Sequence, residues 1–201
     1  GIDGSGKGVQ YRLLRDALLA RGYTVATRDF PAYDSFFGGE IGKLLSGAEG
    51  TRADQVDGKS MALWFALDRF ESFRDYRDGA TDILILNRYV LSNAVYQSIR
   101  DIDLGKPDIA EWVFALEYNH LGLPRPDVNL VSIAPAEAEA NVGKKGFREY
   151  VGAGRDVYEA SHDIQARAME QYLAYAARYD DIAVIPCMSE GRLMLVEAIG
   201  A

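Results

Sequence analysis

The chain has 201 residues, enough for one α/β domain with a sizeable core, and 48% of them are apolar against 26% charged. Its net charge of −8 argues against nonspecific nucleic-acid binding, which depends on neutralising phosphates with Lys and Arg. One cysteine, Cys187, excludes an internal disulfide, His120 and His162 make no metal-ligand cluster, and no apolar run approaches the roughly 20 residues of a membrane span, so a reduced, cytoplasmic setting is expected, with neither membrane nor nucleic acid as partner.

In chain order, Val9, Leu13, Leu14 and Leu18 fall at helical spacing, with Gly22 as a stop. "YTVATRDF" predicts a strand at about 24–28 and "EIGKLL" a short helical piece. A long helix is predicted over 53–77, ending near Gly79. "DILIL" has the form of a parallel strand buried on both faces, spanning about 82–87. Helical patterns cover 91–101 and 108–120, strands 128–133 and 182–186, and long helices 158–179 and 189–199. Strands alternating with helices predict an α/β fold, a parallel sheet with helices on both faces, in a single domain over 1–201.

The opening "GIDGSGKGVQ" places Gly1, Gly4, Gly6 and Lys7 at the spacing of a P-loop, whose backbone N–H groups wrap phosphate oxygens while the lysine adds charge. Gly1, Gly4, Ser5, Gly6, Lys7, Gly8 and Val9 are the candidate ATP-binding residues, and a helix starting near Lys7 aims its positive end at the anion. The strict pattern has Ser or Thr at position 8 to hold Mg²⁺, but Gly8 and Val9 offer no hydroxyl. The loop resembles those of nucleoside monophosphate kinases, where Gly often follows the lysine; the metal would then be held by ATP, water and a carboxylate such as Asp3. The simpler alternative is a Gly-rich turn before a helix.

"ILNRYVLSNAVYQ" lies where a strand ends, the place where open α/β sheets put ligand-binding residues. Arg88 suits a doubly hydrogen-bonded grip on a phosphate. Ser92, Asn93, Tyr96 and Gln97 follow on the first turns of the next helix, with Asn93 and Tyr96 sharing a face by their spacing. A polar helix start with solvated amides is the alternative.

These residues resemble the thymidylate kinase family, which carries Asp-Arg-Tyr, two variable residues, Ser, and a run ending in an aromatic. Here Asn87, Arg88, Tyr89, Ser92 and Tyr96 fill that pattern, with Asn in place of Asp at its first position. "RDFPAY", "LWFALDRFES", "LGLPRPD" and "GRDVYEAS" resemble further family stretches in the right order, so the likeness spans essentially the whole chain. It implies that Phe65 stacks on thymine, Arg69 hydrogen-bonds the base edge, Asn93 contacts the base and Tyr96 crowds the sugar 2′ position. It also implies that Arg88 holds the acceptor phosphate, that Asp3 lies near the acceptor sugar or Mg²⁺ with Glu159 assisting, and that Phe30, Pro31 and Tyr158 line the substrate site. ATP and dTMP are the implied partners and a homodimer, through helices at 61–73 and 91–97, the implied assembly.

Phosphoryl transfer is mostly positioning and charge stabilisation. The P-loop carries no arginine, so the expected source of transition-state charge is a lid at about 143–157, with Lys144, Lys145, Arg148 and Arg155, the last two foremost. The open alternatives are another (deoxy)nucleotide kinase and a catalytically silent nucleotide-binding homologue, the latter suggested by Gly8, Val9 and Asn87. A last expectation concerns the sheet. The resemblance implies strand order 2-3-1-4-5, with strand 1 leading into the P-loop between strands 82–87 and 128–133. Because the sequence opens on the loop itself, that strand is expected to be missing, leaving a slot with Gly1 at its end.

Overall fold

The computed structural model describes residues 7–48, 50–133, 162–186, 188–189 and 192–193. Helix α1 (Lys7–Ala20) turns at Gly22 into strand β1 (Val25–Asp29). Helices α2 (Phe36–Ser46) and α3 (Gly58–Ser72) follow, separated by one 3₁₀ turn (Ala53–Gln55). Then come β2 (Ile83–Asn87), α4 (Val90–Asp103) and α5 (Ala110–Phe114), which runs on as a π-helical segment (Ala115–His120). Strand β3 (Asn129–Ile133), α6 (His162–Ala176), β4 (Ile182–Pro186) and two short strands, β5 (Met188–Ser189) and β6 (Arg192–Leu193), complete the order.

The four longer strands, β1 to β4, pair in parallel, as buried βαβ units require. β1 lies beside β2 with Val25 opposite Ile83 and Asp29 opposite Asn87, and β3 lies beside β4 with Asn129 opposite Ile182. Side chains fix both registers. Asp82 accepts from the Thr24 backbone N–H at 2.8 Å and hydroxyl at 2.6 Å, while the Thr24 hydroxyl accepts from the Asp82 N–H at 2.9 Å. At the entry to the second pair, Asn129 donates its backbone N–H to the Asp181 carbonyl at 2.7 Å and its amide to the Asp181 carboxylate at 3.0 Å. Among the described residues no ladder joins β2 to β3, and residues 1–6, with Gly1 at the expected slot, lie outside them. Strand β2 is half-buried along its length and not buried on both faces as expected, because β1 is its one hydrogen-bonded neighbour among the described residues.

Helix α4 is the centre of the helical layer and packs on α3, α5 and α6. Val90, Leu91, Ala94, Val95 and Ile99 are buried there, and so are the polar Asn93, Gln97 and Ser98. Beside α4, the rings of Phe30, Phe73 and Tyr89 meet at centroid distances of 5.9–6.1 Å, a spacing at which aromatic pairs attract.

Two predicted helices differ from the structure. The long helix over 53–77 is broken, because Asp57 takes an extended conformation and its carboxylate accepts from the Ser60 N–H at 3.0 Å, capping a new helix at Gly58. That helix ends at Ser72. In the segment 189–199, Ser189 and Arg192 pair in an antiparallel β5–β6 ladder in place of the expected helix; residues 190–191 and 194–199 lie outside the described set.

The Asp57 cap gives a pH-dependent expectation. Hydrogen bonds from Ser60 hold its carboxyl below the ordinary 3.8. Its contribution is therefore complete above pH 3.8 and is lost as pH falls through the lowered value. Asp57→Ala should cost about 1 kcal/mol at pH 7 by urea unfolding, with the difference shrinking under strong acid; an equal cost at both pH values would contradict the charged cap.

Candidate active site

Strand β2 ends at Asn87, and Arg88 follows with φ 58, a left-handed conformation unusual for a non-glycine residue. Such a residue costs on the order of 1–3 kcal/mol and persists where surrounding structure over-determines it, often at functional sites. Here it turns the chain sharply from β2 into α4, whose first turn is closed by the Ser92 N–H donating to the Tyr89 carbonyl at 2.9 Å. The Arg88 guanidinium is half-buried and lies 6.0 Å from the centre of the Tyr96 ring, within cation–π reach.

Asn87 and Asp29 are register partners at the carboxyl ends of β2 and β1, and the Asn87 amide donates to the Asp29 carboxylate at 2.6 Å. A carboxylate thus stands at this edge on β1, and the amide at 87 is its hydrogen-bond donor. Nearby, burial pushes the Tyr11 phenol up, helped by the charge of Asp29.

On α3, Ala62, Phe65 and Arg69 fall three and seven apart and share one stripe. Arg69 is only 2% exposed, and its partner Glu117, on the π-helical segment, is 0% exposed. Arg69 Nε donates to Glu117 Oε2 at 2.5 Å and Nη2 to Oε1 at 2.6 Å, the bidentate fork that suits guanidinium to carboxylate. Asn93 Nδ2 joins them, donating to Glu117 Oε1 at 2.8 Å and to the Ala62 carbonyl at 3.1 Å. The Asn93 carbonyl oxygen, Oδ1, is buried and has no partner. Phe65 is half-buried and makes no ring contact with another aromatic among the described residues.

A second carboxylate holds the approach to β1's end. Asp68 is buried and accepts from the Ala32 N–H at 2.9 Å and the Ser35 hydroxyl at 3.0 Å. Burial pushes its carboxyl up, against the lowering effect of those donors and of Arg69. The same turn packs on Gly38 of α2, where an added Cβ would lie 1.9 Å from the Ala32 carbonyl oxygen. The Phe30–Pro31 peptide before it is cis, and both residues are buried.

The structure therefore brings Arg69 and Asn93 together around Glu117, with Phe65 on the same stripe of α3 as Arg69, and sets Arg88 beside Tyr96. It does not put all of α4's candidates on one side. Asn93 faces α3 and the π-helical segment, whereas the Tyr96 hydroxyl points to Gln165 of α6 at 3.5 Å. Ser92 shares a hydrogen bond with the Tyr172 hydroxyl at 3.0 Å, and Gln97 accepts from Arg100 within the helix at 3.1 Å. Phe30 lies in the aromatic cluster of the core. Lys7 is half-buried on the first turn of α1, with Gly8 and Val9 after it. Gly1, Asp3, Gly4, Ser5, Gly6, Arg148, Arg155, Tyr158 and Glu159 lie outside the described residues. A cavity of about 190 Å³ sits at the amino ends of β3 and β4, lined by Leu91, Phe114, Tyr118, Asn129 and Ile182, and none of the candidate residues lines it.

Sequence reasoning missed Glu117, Asp68 and Asp29. Glu117 had a signal: Ala110, Val113 and Glu117 fall at helical spacing on one stripe, so a carboxylate on an apolar face demanded a buried cation.

The family model described as thymidylate kinase matches residues 1–186. Thymidylate kinase of Mycobacterium tuberculosis strain H37Rv is 34% identical over 181 residues, covering 89% of this chain and 84% of that protein. A probable thymidylate kinase of Thermococcus onnurineus is 28% identical over 196 residues, covering 94% and 87% respectively. The structure of thymidylate kinase from Candida albicans superposes with a TM-score of 0.66 at 21% identity, covering 92% of this chain and 80% of that one.

The Asp29–Asn87 pair makes a direct expectation. Asn87→Asp replaces a donor with a second carboxylate directly across the strand pair, and like charges there destabilise by roughly 0.2–1 kcal/mol. The loss should be clear at low ionic strength and shrink as salt screens the two charges. Urea unfolding of both proteins at low and high salt checks it, and a variant more stable than the parent at low salt would contradict the assigned pair.

Proposed function

We propose how this chain, which belongs to the thymidylate kinase family and transfers the γ-phosphoryl group of ATP to dTMP to give dTDP, holds its two nucleotides. The observation that carries the reading is the buried, unpaired Oδ1 of Asn93, whose amide nitrogen shares Glu117 Oε1 with the Arg69 guanidinium. A thymine edge presents a carbonyl oxygen next to a ring N–H, and so complements a donor next to an acceptor. Phe65, on the same stripe of α3 as Arg69, offers a half-buried ring face for stacking. Arg88 grips the acceptor phosphate, and Tyr96 beneath its guanidinium crowds the sugar where a ribonucleotide carries its 2′-hydroxyl. Ser92, Gln97, Phe30 and Pro31 act as supports, through Tyr172, Arg100 and the aromatic cluster, and Tyr158 completes the substrate side.

Gly1, Gly4, Ser5, Gly6, Lys7, Gly8 and Val9 hold the ATP phosphates at the start of α1, where backbone N–H groups and the helix dipole favour anions. Among the described residues no three His, Cys, Asp or Glu side chains gather to hold an ion. That fits Mg²⁺ carried mainly by nucleotide phosphates and water with one or two carboxylates, for which Asp3 and Glu159 are proposed. The metal would neutralise charge on the phosphates. The segment at about 143–157 closes as a lid, with Arg148 or Arg155 supplying charge to the moving phosphoryl group, and Lys144 and Lys145 beside them.

Leu63, Leu67 and Phe70 form an exposed apolar stripe on α3, and a homodimer through this face is proposed. The 91–97 stretch of α4 is buried within the protomer, apart from half-buried Ser92, so α3 alone carries that face. A single domain, a cytoplasmic setting and the sheet order 2-3-1-4-5, in which β1–β2 and β3–β4 are the two flanking pairs, complete the proposal. No helix among the described residues is long and apolar enough to cross a membrane.

An ADP-release assay across nucleoside monophosphates tests the assignment: Mg²⁺-dependent turnover of dTMP should far exceed that of UMP, CMP and AMP, and equal turnover of AMP or CMP would sink it. Tyr96→Ala should relax discrimination against a ribose 2′-hydroxyl more than it weakens phosphate binding. A parallel fall for ribo- and deoxy-substrates would remove the sugar-gate role.

A further inference from the structure

Asn93 has two amide protons, and both are already committed inside the protein. One hydrogen bond runs to Glu117 Oε1 at 2.8 Å and one to the Ala62 carbonyl at 3.1 Å. Turning the amide over would set its oxygen against two acceptors, a carboxylate and a carbonyl, and would aim its N–H groups at the place where Oδ1 now stands. Glu117 itself cannot turn away, since its two oxygens are taken up by the fork of Arg69. It also lies on a π-helical segment, an uncommon geometry that appears frequently at functional sites.

We propose that Glu117 is a positioning residue that determines base specificity, because it locks the Asn93 amide with its oxygen turned away from the carboxylate and so admits pyrimidines with an imide edge while rejecting those with an amidine edge. The inference rests on the reading that Asn93 meets the base. An imide, as in thymine or uracil, carries a ring N–H that Oδ1 accepts. Cytosine carries a bare ring nitrogen at that position, and its lone pair would face the lone pairs of Oδ1. An amide free to turn would satisfy either base, as asparagine and glutamine do wherever their surroundings leave both orientations open. The discrimination at the ring nitrogen therefore comes from the buried carboxylate to which Asn93 donates, and Asn93 alone does not supply it. A site built on one hydrogen-bond polarity also leaves a buried group unpaired when the wrong base enters, which is the condition for strong rejection.

The test compares kcat/KM for dTMP and dCMP in the native enzyme and in Glu117→Gln. The glutamine keeps the shape and can still accept from Arg69, but it can also donate to Asn93 and so permits the turned amide. The preference for dTMP over dCMP should fall on the order of tenfold or more, through a higher KM for dTMP and improved use of dCMP, with kcat for dTMP changed less. An unchanged preference in folded Glu117→Gln overturns the inference and leaves the dTMP assignment standing. A native enzyme that does not turn over dTMP overturns both. Should the variant not fold, the native protein decides: the Asn93 side-chain amide protons should exchange slowly by NMR without nucleotide and stay so when dTMP binds. Fast exchange that becomes slow only with dTMP would overturn the lock.

Discussion

The structure turns on one buried ion pair. Arg69 and Glu117 are 2% and 0% exposed, and removing two charges from water costs several kcal/mol per ion. Mutual attraction in a low-dielectric interior, two hydrogen bonds at 2.5 and 2.6 Å and a third from Asn93 offset that cost. An apolar pair of the same volume would hold α3, α4 and the π-helical segment together without this penalty. It would also leave Asn93 free to turn and, in the function proposed above, remove the guanidinium from the base edge. A charged pair at the junction of three helical segments fits that proposal as orientation of the site rather than as a source of stability.

The phosphate side is held differently. Parallel strands β1 and β2 are clamped at one end by Thr24 and Asp82 and at the other by Asp29 and Asn87. The second clamp fixes the strand end from which Arg88 departs at φ 58. Asp68 and Gly38 set the turn after Pro31 against α2 and α3. The residues proposed for the base and for the acceptor phosphate thus rest on separate supports, one a helical junction and the other the edge of a strand pair, with α4 reaching both.

Much of this was legible in the sequence. All four longer strands were placed within a residue of their observed bounds, because short β-branched and apolar runs between turn residues leave little freedom. Arg88 and Asn93 stand out by resemblance and by their place after a strand, and Arg69 by resemblance alone. What was not legible was pairing. Asn87 departs from the family pattern, and only the register sets it against Asp29. Asn93 and Tyr96 share a helical arc by spacing, yet neighbours from different helices divide them. The helix over 53–77 was drawn through Asp57 because its capping role depends on a turn that periodicity does not register.

The most direct measurement is a crystal structure of the enzyme with dTMP and a non-hydrolysable ATP analogue. The account predicts the thymine edge against Arg69 and Asn93 Oδ1, the ring on Phe65, the acceptor phosphate on Arg88, and the Arg69–Glu117 fork unchanged. A base bound elsewhere, or an Asn93 amide turned so that it donates to the ring, would contradict it.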